Sequence, residues 1–309
     1  MLAGKVIKAT RSQYLVRSDQ DTITCTVRGK LVGAPKDDTT SVRVGDNVLI
    51  ESVSRNEGVI REILPRKSKL SRAVEGKAYK EHIIATNIDQ MVIIMSVKKP
   101  AFKSGLLDRY LVIAEKNMLR SIICLNKIDL AAKKQFEKYA SSYRKLNYPF
   151  YFVSAHQGEG LDDVKMILKD AVSVLVGHSG VGKSSIIQEI EPSLNLKIVE
   201  ISAKTHKGKH TTSFVQLFPL SFGGYVIDTP GIRELGLWDI YRADLKKYFV
   251  EFRNFEDQCQ FNDCNHIEEP ACGIKQAVSQ GFIFEERYRN YVNIYRDLRA
   301  APYELIRKQ

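Results

Sequence analysis

The sequence predicts a multidomain α/β protein with an N-terminal β-barrel, a mainly parallel α/β domain and a short α-rich C-terminal module on a metal site. Three observations carry this. Residues 1–64 read as short strands broken by turns at roughly ten-residue spacing. From Gln90 onward, apolar runs alternate with helix-spaced segments, the pattern of a parallel sheet covered by helices. From about residue 241 the pattern changes to a Cys/His cluster followed by an amphipathic helix. The expected boundaries are 1–66, 67–240 and 241–309.

In the first module Ile23, Cys25 and Val27 alternate with Thr22, Thr24 and Thr26, a period of two. Residues 48–50 follow the turn Gly45-Asp46-Asn47, and 59–64 form another short strand. An OB-fold satisfies this pattern, and so does an SH3-like barrel. Residues 65–86 open with PRKSKLSR and read as a basic linker.

The middle module begins with the apolar run 91–97, a buried strand. Strands are expected at 121–125, 150–153, 172–176 and 225–227, and helices at 106–116, 133–146, 161–168 and 184–190. In the last module a helix from about Phe284 places Tyr288, Tyr291, Tyr295 and Leu298 on one face, among Arg287, Arg289, Arg296 and Arg299. Such a stripe more often packs into a core than stacks on bases.

Residues 177–184 read GHSGVGKS, a Walker A loop between an apolar strand and a helix. Gly177, Gly180 and Gly182 let the backbone wrap phosphates, with His178, Ser179, Val181 and Ser185 completing the loop around the anion. Lys183 reaches the β and γ phosphates, and the Ser184 hydroxyl ligates Mg²⁺. Residues 126–129 read NKID. The Asp129 carboxylate accepts from guanine N1–H and the 2-amine. Adenine offers a lone pair and no amine there, which costs on the order of 1–3 kcal/mol for each unpaired group. Asn126 fixes the loop, the Lys127 stem covers the base, and Ser154-Ala155 closes a strand where a backbone N–H meets guanine O6.

These motifs stand in an unusual order. The base-reading NKID precedes the phosphate loop, so the P-loop GTPase domain is circularly permuted. Asp228-Thr229-Pro230-Gly231 supplies the Walker B part: Asp228 holds Mg²⁺ through water, and the Gly231 N–H bonds the γ-phosphate. Residue 232 is Ile, which cannot orient water. Residues 203–212, AKTHKGKHTT, lie where the first switch belongs. Thr211 or Thr212 is expected to complete the Mg²⁺ shell, and His210 is the candidate that positions the catalytic water.

Cys259, Cys264, His266 and Cys272 fall within 14 residues and make a complete tetrahedral set for one structural Zn²⁺. Cys25 and Cys124 sit in strand patterns and read as core. Five cysteines so arranged are no disulfide framework and point to a reducing compartment.

The formal net charge is +11, and residues 1–72 carry 14 Lys/Arg against 8 Asp/Glu. A basic first module points to a polyanion, nucleic acid in preference to membrane. No apolar run approaches the roughly 20 residues that span a bilayer, and the N-terminus lacks a signal-peptide stretch. A cytoplasmic protein is expected.

Together these residues resemble the RsgA (YjeQ/YloQ) family of bacterial small-subunit-dependent GTPases. The resemblance spans essentially the whole chain. It rests on Asn87-Ile88-Asp89-Gln90, Leu107-Asp108-Arg109-Tyr110-Leu111, NKID, GHSGVGKS, Gly208-x-His210-Thr211-Thr212, Asp228-x-Pro230-Gly231 and the Cys₃His run. It implies an N-terminal OB-fold that binds RNA, the permuted GTPase and a zinc-binding domain. It also implies GTP hydrolysis to GDP and phosphate in late maturation of the 30S ribosomal subunit, contact with 16S rRNA, stimulation by that subunit, and a monomer. His210 matches the family's proposed catalytic histidine, and Ile232 its apolar replacement of the catalytic Gln. The competing expectation is a catalytically weak, GTP-regulated RNA-binding scaffold. It requires a degenerate nucleotide site, and Lys183, Ser184, Asp129 and Asp228 are all present.

Overall fold

The computed structural model describes residues 1–10, 12–19, 21–32, 42–73, 81–194, 215–228, 237 and 240–298. The first strands are β1 (Leu2–Ala9), β2 (Tyr14–Ser18), β3 (Asp21–Val32), β4 (Asn47–Ser52) and β5 (Glu57–Ile63). Neighbours pair antiparallel except β3 with β5, which run parallel, and β1 pairing with β4 closes the ring. The result is a five-strand, OB-like barrel. Its core holds Val6, Val16, Ile23, Cys25, Val48, Ile50 and Ile60. The alternation along β3 has the expected sense, with Ile23 and Cys25 buried and Thr22 exposed.

The reading of 65–86 as a linker is corrected. β6 (Lys69–Ala73) and β7 (Glu81–Thr86) form an antiparallel hairpin, with Leu70 opposite Ala85 and both fully buried. The basic residues around Leu70 mask the alternation. A second signal is a polar latch to the barrel. The fully buried Asp46 takes Arg66 on both oxygens, at 2.7 and 2.8 Å, and the Thr86 hydroxyl donates to it at 2.7 Å.

The middle module carries β8 (Gln90–Ser96), β9 (Arg120–Asn126), β10 (Phe150–Phe152), β11 (Val172–Val176), β12 (Gln216–Pro219) and β13 (Tyr225–Asp228). The spatial order β10-β9-β8-β11-β13 is parallel throughout, and β12 joins antiparallel. β12 also pairs with β1, Lys8 opposite Gln216, so one 11-stranded sheet runs from this module into the barrel. The pattern of four residues ending in a proline left β12 unread in the sequence. Helices α1 (Ser104–Lys116) and α2 (Glu137–Lys145) cover one face, and α3 (Leu161–Leu168) and α4 (Lys183–Ile190) the other. β8 feeds both: Met91, Ile93 and Met95 face the first pair, Val92 and Ile94 the second. This is why the run lacks polar alternation.

The last module contains α5 (Arg242–Leu245), α6 (Gly273–Ser279) and α7 (Glu285–Asp297) around Phe249, Phe252, Tyr291 and Ile294. It packs on α1, whose Val112 belongs to the same core. The joint is polar at its centre. Arg287, 2% exposed, donates to Asp108 Oδ1 at 2.5 Å and forks onto Glu251. Asp108 also accepts from Tyr143 at 2.9 Å and Asn290 at 2.7 Å. Burial disfavours the Arg287 charge, but Glu251 and Asp108 more than offset this, and its pKa stands above the ordinary value. Arg109 pairs with Asp297 at the rim. The Leu107-Asp108-Arg109-Tyr110-Leu111 run is thus the socket for the C-terminal module.

Candidate nucleotide site and metal centre

β11 ends at Val176, and the chain turns through three left-handed glycines, Gly177 (φ 147°), Gly180 (φ 81°) and Gly182 (φ 97°), before α4. A Cβ on Gly177 would stand 2.1 Å from the Ile94 carbonyl oxygen, and one on Gly182 2.3 Å from Asn126 Nδ2. No side chain fits either place. The resulting loop opens at the carboxyl ends of the parallel strands, where such sheets bind ligands. Lys183 opens α4 and crosses the loop, donating to the carbonyls of Gly177 (2.7 Å) and His178 (3.0 Å). His178, Ser179, Gly180 and Ser185 are exposed, Ser184 half-buried and Val181 buried.

The NKID loop leaves β9 two strands away from β11. Asn126 is 1% exposed, and both ends of its amide bond backbone. Nδ2 donates to Val181 O at 2.9 Å, and Oδ1 accepts from the Ala155 N–H at 3.1 Å. A flipped amide would fail at both contacts, which fixes its orientation. One side chain therefore joins the phosphate loop, the NKID loop and the Ser-Ala loop. Lys127 donates to Gly180 O at 2.5 Å and also to Lys99 O. The Ser154 hydroxyl donates to Asp129 Oδ1 at 2.6 Å and leaves the rest of that exposed carboxylate facing outward.

The structure thus brings together Asn126, Lys127, Asp129, Ser154, Ala155 and residues 177–185. Asp228 ends β13, which runs beside β11 in parallel register. His210, Thr211, Thr212 and Gly231 lie outside the described residues. Sequence reasoning missed the Lys99 carbonyl, which no side-chain pattern marks, and the double anchoring by Asn126.

In the C-terminal module, one ligand atom from each of Cys259, Cys264, His266 and Cys272 lies within 4.8 Å of every other. The Cys259 and Cys272 sulfurs are 3.9 Å apart, and His266 Nδ1 is 3.5 and 3.4 Å from them. Tetrahedral bonds of about 2.3 Å to sulfur and 2.0 Å to nitrogen require edges of about 3.8 and 3.5 Å, so the donors fit a central metal ion. His266 turns Nδ1 toward the sulfurs, which makes it the nitrogen placed to ligate, while Nε2 is buried without a partner among the described residues. Burial lowers the His266 pKa to about 4 and holds the imidazole in its neutral, ligating form. Burial pushes the Cys264 thiol up to about 12, so a cation is what makes a thiolate there.

The tyrosine stripe belongs to this centre. Tyr291, fully buried, donates to Asn265 O at 2.7 Å, and Tyr288 donates to His266 O at 2.8 Å. The Glu269 carboxylate caps the same loop, accepting from the Asn265 and Ile267 N–H groups at 2.7 and 2.9 Å. The stripe is core, and it clamps the metal loop from behind.

Residues 63–238 match the family model described as RsgA GTPase, and residues 3–60 the one described as RsgA N-terminal domain. The chain is 38% identical over 298 residues to the small ribosomal subunit biogenesis GTPase RsgA of Caldanaerobacter subterraneus subsp. tengcongensis, covering 96% of each. It is 40% identical over 301 residues to the protein of that name from Chlorobaculum tepidum, covering 94% of this chain and 96% of the relative. Among solved structures, YjeQ from Thermotoga maritima superposes with a TM-score of 0.77 at 34% identity, over 96% of this chain and 98% of that one. YloQ, described as a circularly permuted GTPase, superposes at 0.74 with 32% identity, over 96% and 94%.

Proposed function

The chain belongs to the RsgA GTPase family, and from that membership we propose that it hydrolyses GTP to GDP and phosphate as a late maturation factor of the small ribosomal subunit. The observation that carries this is the convergence on Asn126. Phosphate loop, base-reading loop and Ser-Ala loop are locked together by its amide in spite of the permuted chain order.

In this reading the backbone of residues 177–185 holds the phosphates, and Lys183 exchanges its carbonyl partners for the β and γ oxygens. Asp129 reads guanine beside the Lys127 stem. Ser184 and Thr211 or Thr212 would hold Mg²⁺, with Asp228 behind a water, and the ion would neutralise charge developing on the phosphates. His210 orients the attacking water in place of the residue that Ile232 cannot supply. The Gly231 N–H marks the γ-phosphate. A closed Cys₃His donor set favours Zn²⁺, which would fix the module structurally with no open position. The OB-like barrel and the basic balance of residues 1–72 support binding to 16S rRNA within the 30S subunit. Modules of 1–66, 67–240 and 241–309, a monomeric state and a cytoplasmic location complete the reading. Among the described residues, no helix is long and apolar enough to cross a membrane.

The test is GTP turnover with and without purified small subunits. Strong stimulation is the expected result. No turnover under either condition would leave the RNA-binding scaffold in its place.

A further inference from the structure

β10 is the terminal strand of the large sheet, and no other strand among the described residues pairs with its outer edge. In a parallel pair, alternate residues bond the neighbour. Pro149 O accepts from the Ile123 N–H and the Val153 N–H donates to Leu125 O, both at 2.9 Å, so the odd-numbered residues serve β9. Phe150 and Phe152 turn their N–H groups outward, and neither has an acceptor among the described residues. The outward carbonyl of Phe150 accepts from Arg144 Nη2 at 2.5 Å. A Cβ on Gly160 would stand 2.4 Å from the Phe152 carbonyl oxygen, so the loop before α3 closes the far end of this edge.

A groove of about 520 Å³ runs along the open stretch, and its two sides carry opposite charge. On the α2 face, shared with the Phe150 and Phe152 side chains, Lys133 Nζ stands 4.8 Å and the Arg144 guanidinium 6.0 Å from the centre of the Phe152 ring. On the α3 face, shared with Tyr151, the lining charges are Glu159 and Asp163. All four charged side chains are exposed, and none forms an ion pair among the described residues.

We propose that this edge takes an extended segment of a partner protein as an added strand, a segment in which two acidic residues flank a basic one. Successive side chains of a strand point to opposite faces. A segment laid against Phe150–Phe152 therefore offers two side chains to Lys133 and Arg144 and the one between them to Glu159 and Asp163. The backbone bonds give affinity, and the alternation of charge gives specificity. As a segment N–H takes over the Phe150 carbonyl, Arg144 is released toward the incoming carboxylate, a stronger partner than the carbonyl it leaves. This chain contains no consecutive acidic, basic, acidic triplet, so the segment belongs to another protein.

Two capped peptides test the reading on the full-length protein by fluorescence anisotropy: Thr-Val-Glu-Lys-Glu-Val-Thr and its charge-swapped form Thr-Val-Lys-Glu-Lys-Val-Thr. The first should bind about tenfold more tightly, and Arg144→Glu and Asp163→Lys should each weaken it about tenfold, the worth of one hydrogen-bonded charge. Asp163→Lys is decisive, because a mere net-charge effect would make that variant bind the first peptide more tightly. N-methylation of alternate peptide residues should abolish binding for one set and spare the other. With ¹⁵N-phenylalanine labelling, the amide signals of Phe150 and Phe152 should shift and gain exchange protection. Equal affinity for the two peptides, no binding of either at millimolar concentration, tighter binding by Asp163→Lys, or silence at Phe150 and Phe152 while peptide binds would each overturn the proposal. So would a single-stranded RNA oligonucleotide that shifts the same two amides and displaces the peptide, which would assign the groove to nucleic acid. Self-association of the protein that Arg144→Glu abolishes would assign it to a second copy and overturn the proposal equally.

Discussion

Arg287→Met removes the guanidinium shared by two buried carboxylates at the joint between α1 and the C-terminal module. Asp108 is fully buried and Glu251 is 5% exposed, so neither gains water in exchange. Asp108 keeps its bonds from Tyr143 and Asn290, whereas Glu251 loses both of its bonds to Arg287. Breaking a buried pair by removing one partner costs about 3–5 kcal/mol. At about 2–4 °C per kcal/mol for a domain of this size, the melting temperature should fall by about 6–20 °C. The pH dependence adds a sign. Burial already raises the Asp108 pKa against the opposing pull of Arg287, and without Arg287 it rises further. A carboxyl group whose folded pKa exceeds its unfolded value loses stability as pH rises through that interval. The deficit should therefore be smallest in mild acid and widen toward neutral pH. Thermal unfolding by circular dichroism at pH 5 and pH 7.5 measures both effects. A loss below about 1 kcal/mol, or a deficit that grows in acid, would refute this account of the joint.

Gly182→Ala should lower GDP affinity at least about tenfold, because the added methyl meets Asn126 Nδ2 and the φ of 97° strains any L-residue; fluorescent-nucleotide titration reads it, and wild-type affinity would contradict the geometry. His210→Ala should cut subunit-stimulated turnover by on the order of a hundredfold with GTP affinity nearly intact; parallel loss of both would count against a catalytic role. The purified protein should hold one equivalent of metal by elemental analysis, and removing it with a chelator should lower the melting temperature while nucleotide binding persists. Tyr291→Phe should destabilise the protein by about 1 kcal/mol, the worth of the bond to Asn265 O, and should speed metal loss to a chelator.

The parts of the fold written in short-range pattern were legible. β8 and β9 are buried on both faces and appear as apolar runs at 91–95 and 122–125, β11 carries a single polar residue, Ser173, and the phosphate loop, NKID and the Cys₃His set are each compact in sequence. What stayed hidden depends on partners far along the chain. Arg287 reads as one of several arginines on a helix, yet its partner Asp108 stands 179 positions away. The β6–β7 hairpin reads as a basic linker because the contact that holds it, Asp46 with Arg66 and Thr86, crosses from one module to the next.

The permuted order leaves the nucleotide loops where any parallel sheet of this kind would place them, but it changes what hangs from them. β12 lies between β13 and the barrel strand β1, so the barrel is joined by sheet hydrogen bonds to the neighbour of the strand ending in Asp228. On the other side, the loop from Val97 to Lys103 gives its Lys99 carbonyl to Lys127 and then enters α1, where Ser104 donates to Glu286 of α7 at 2.6 Å. Both flanking modules are thus attached to the nucleotide loops by packed, hydrogen-bonded structure as well as by chain connection. A ligand shifts such an assembly only by as much as it discriminates between states. If GTP and GDP differ in what they ask of the loops around Gly180 and Asp228, the barrel and the metal module are the surfaces placed to register that difference. Small-subunit affinity measured with a non-hydrolysable GTP analogue and with GDP should therefore differ, and the difference should shrink in Arg287→Met, where the metal module is loosened from α1.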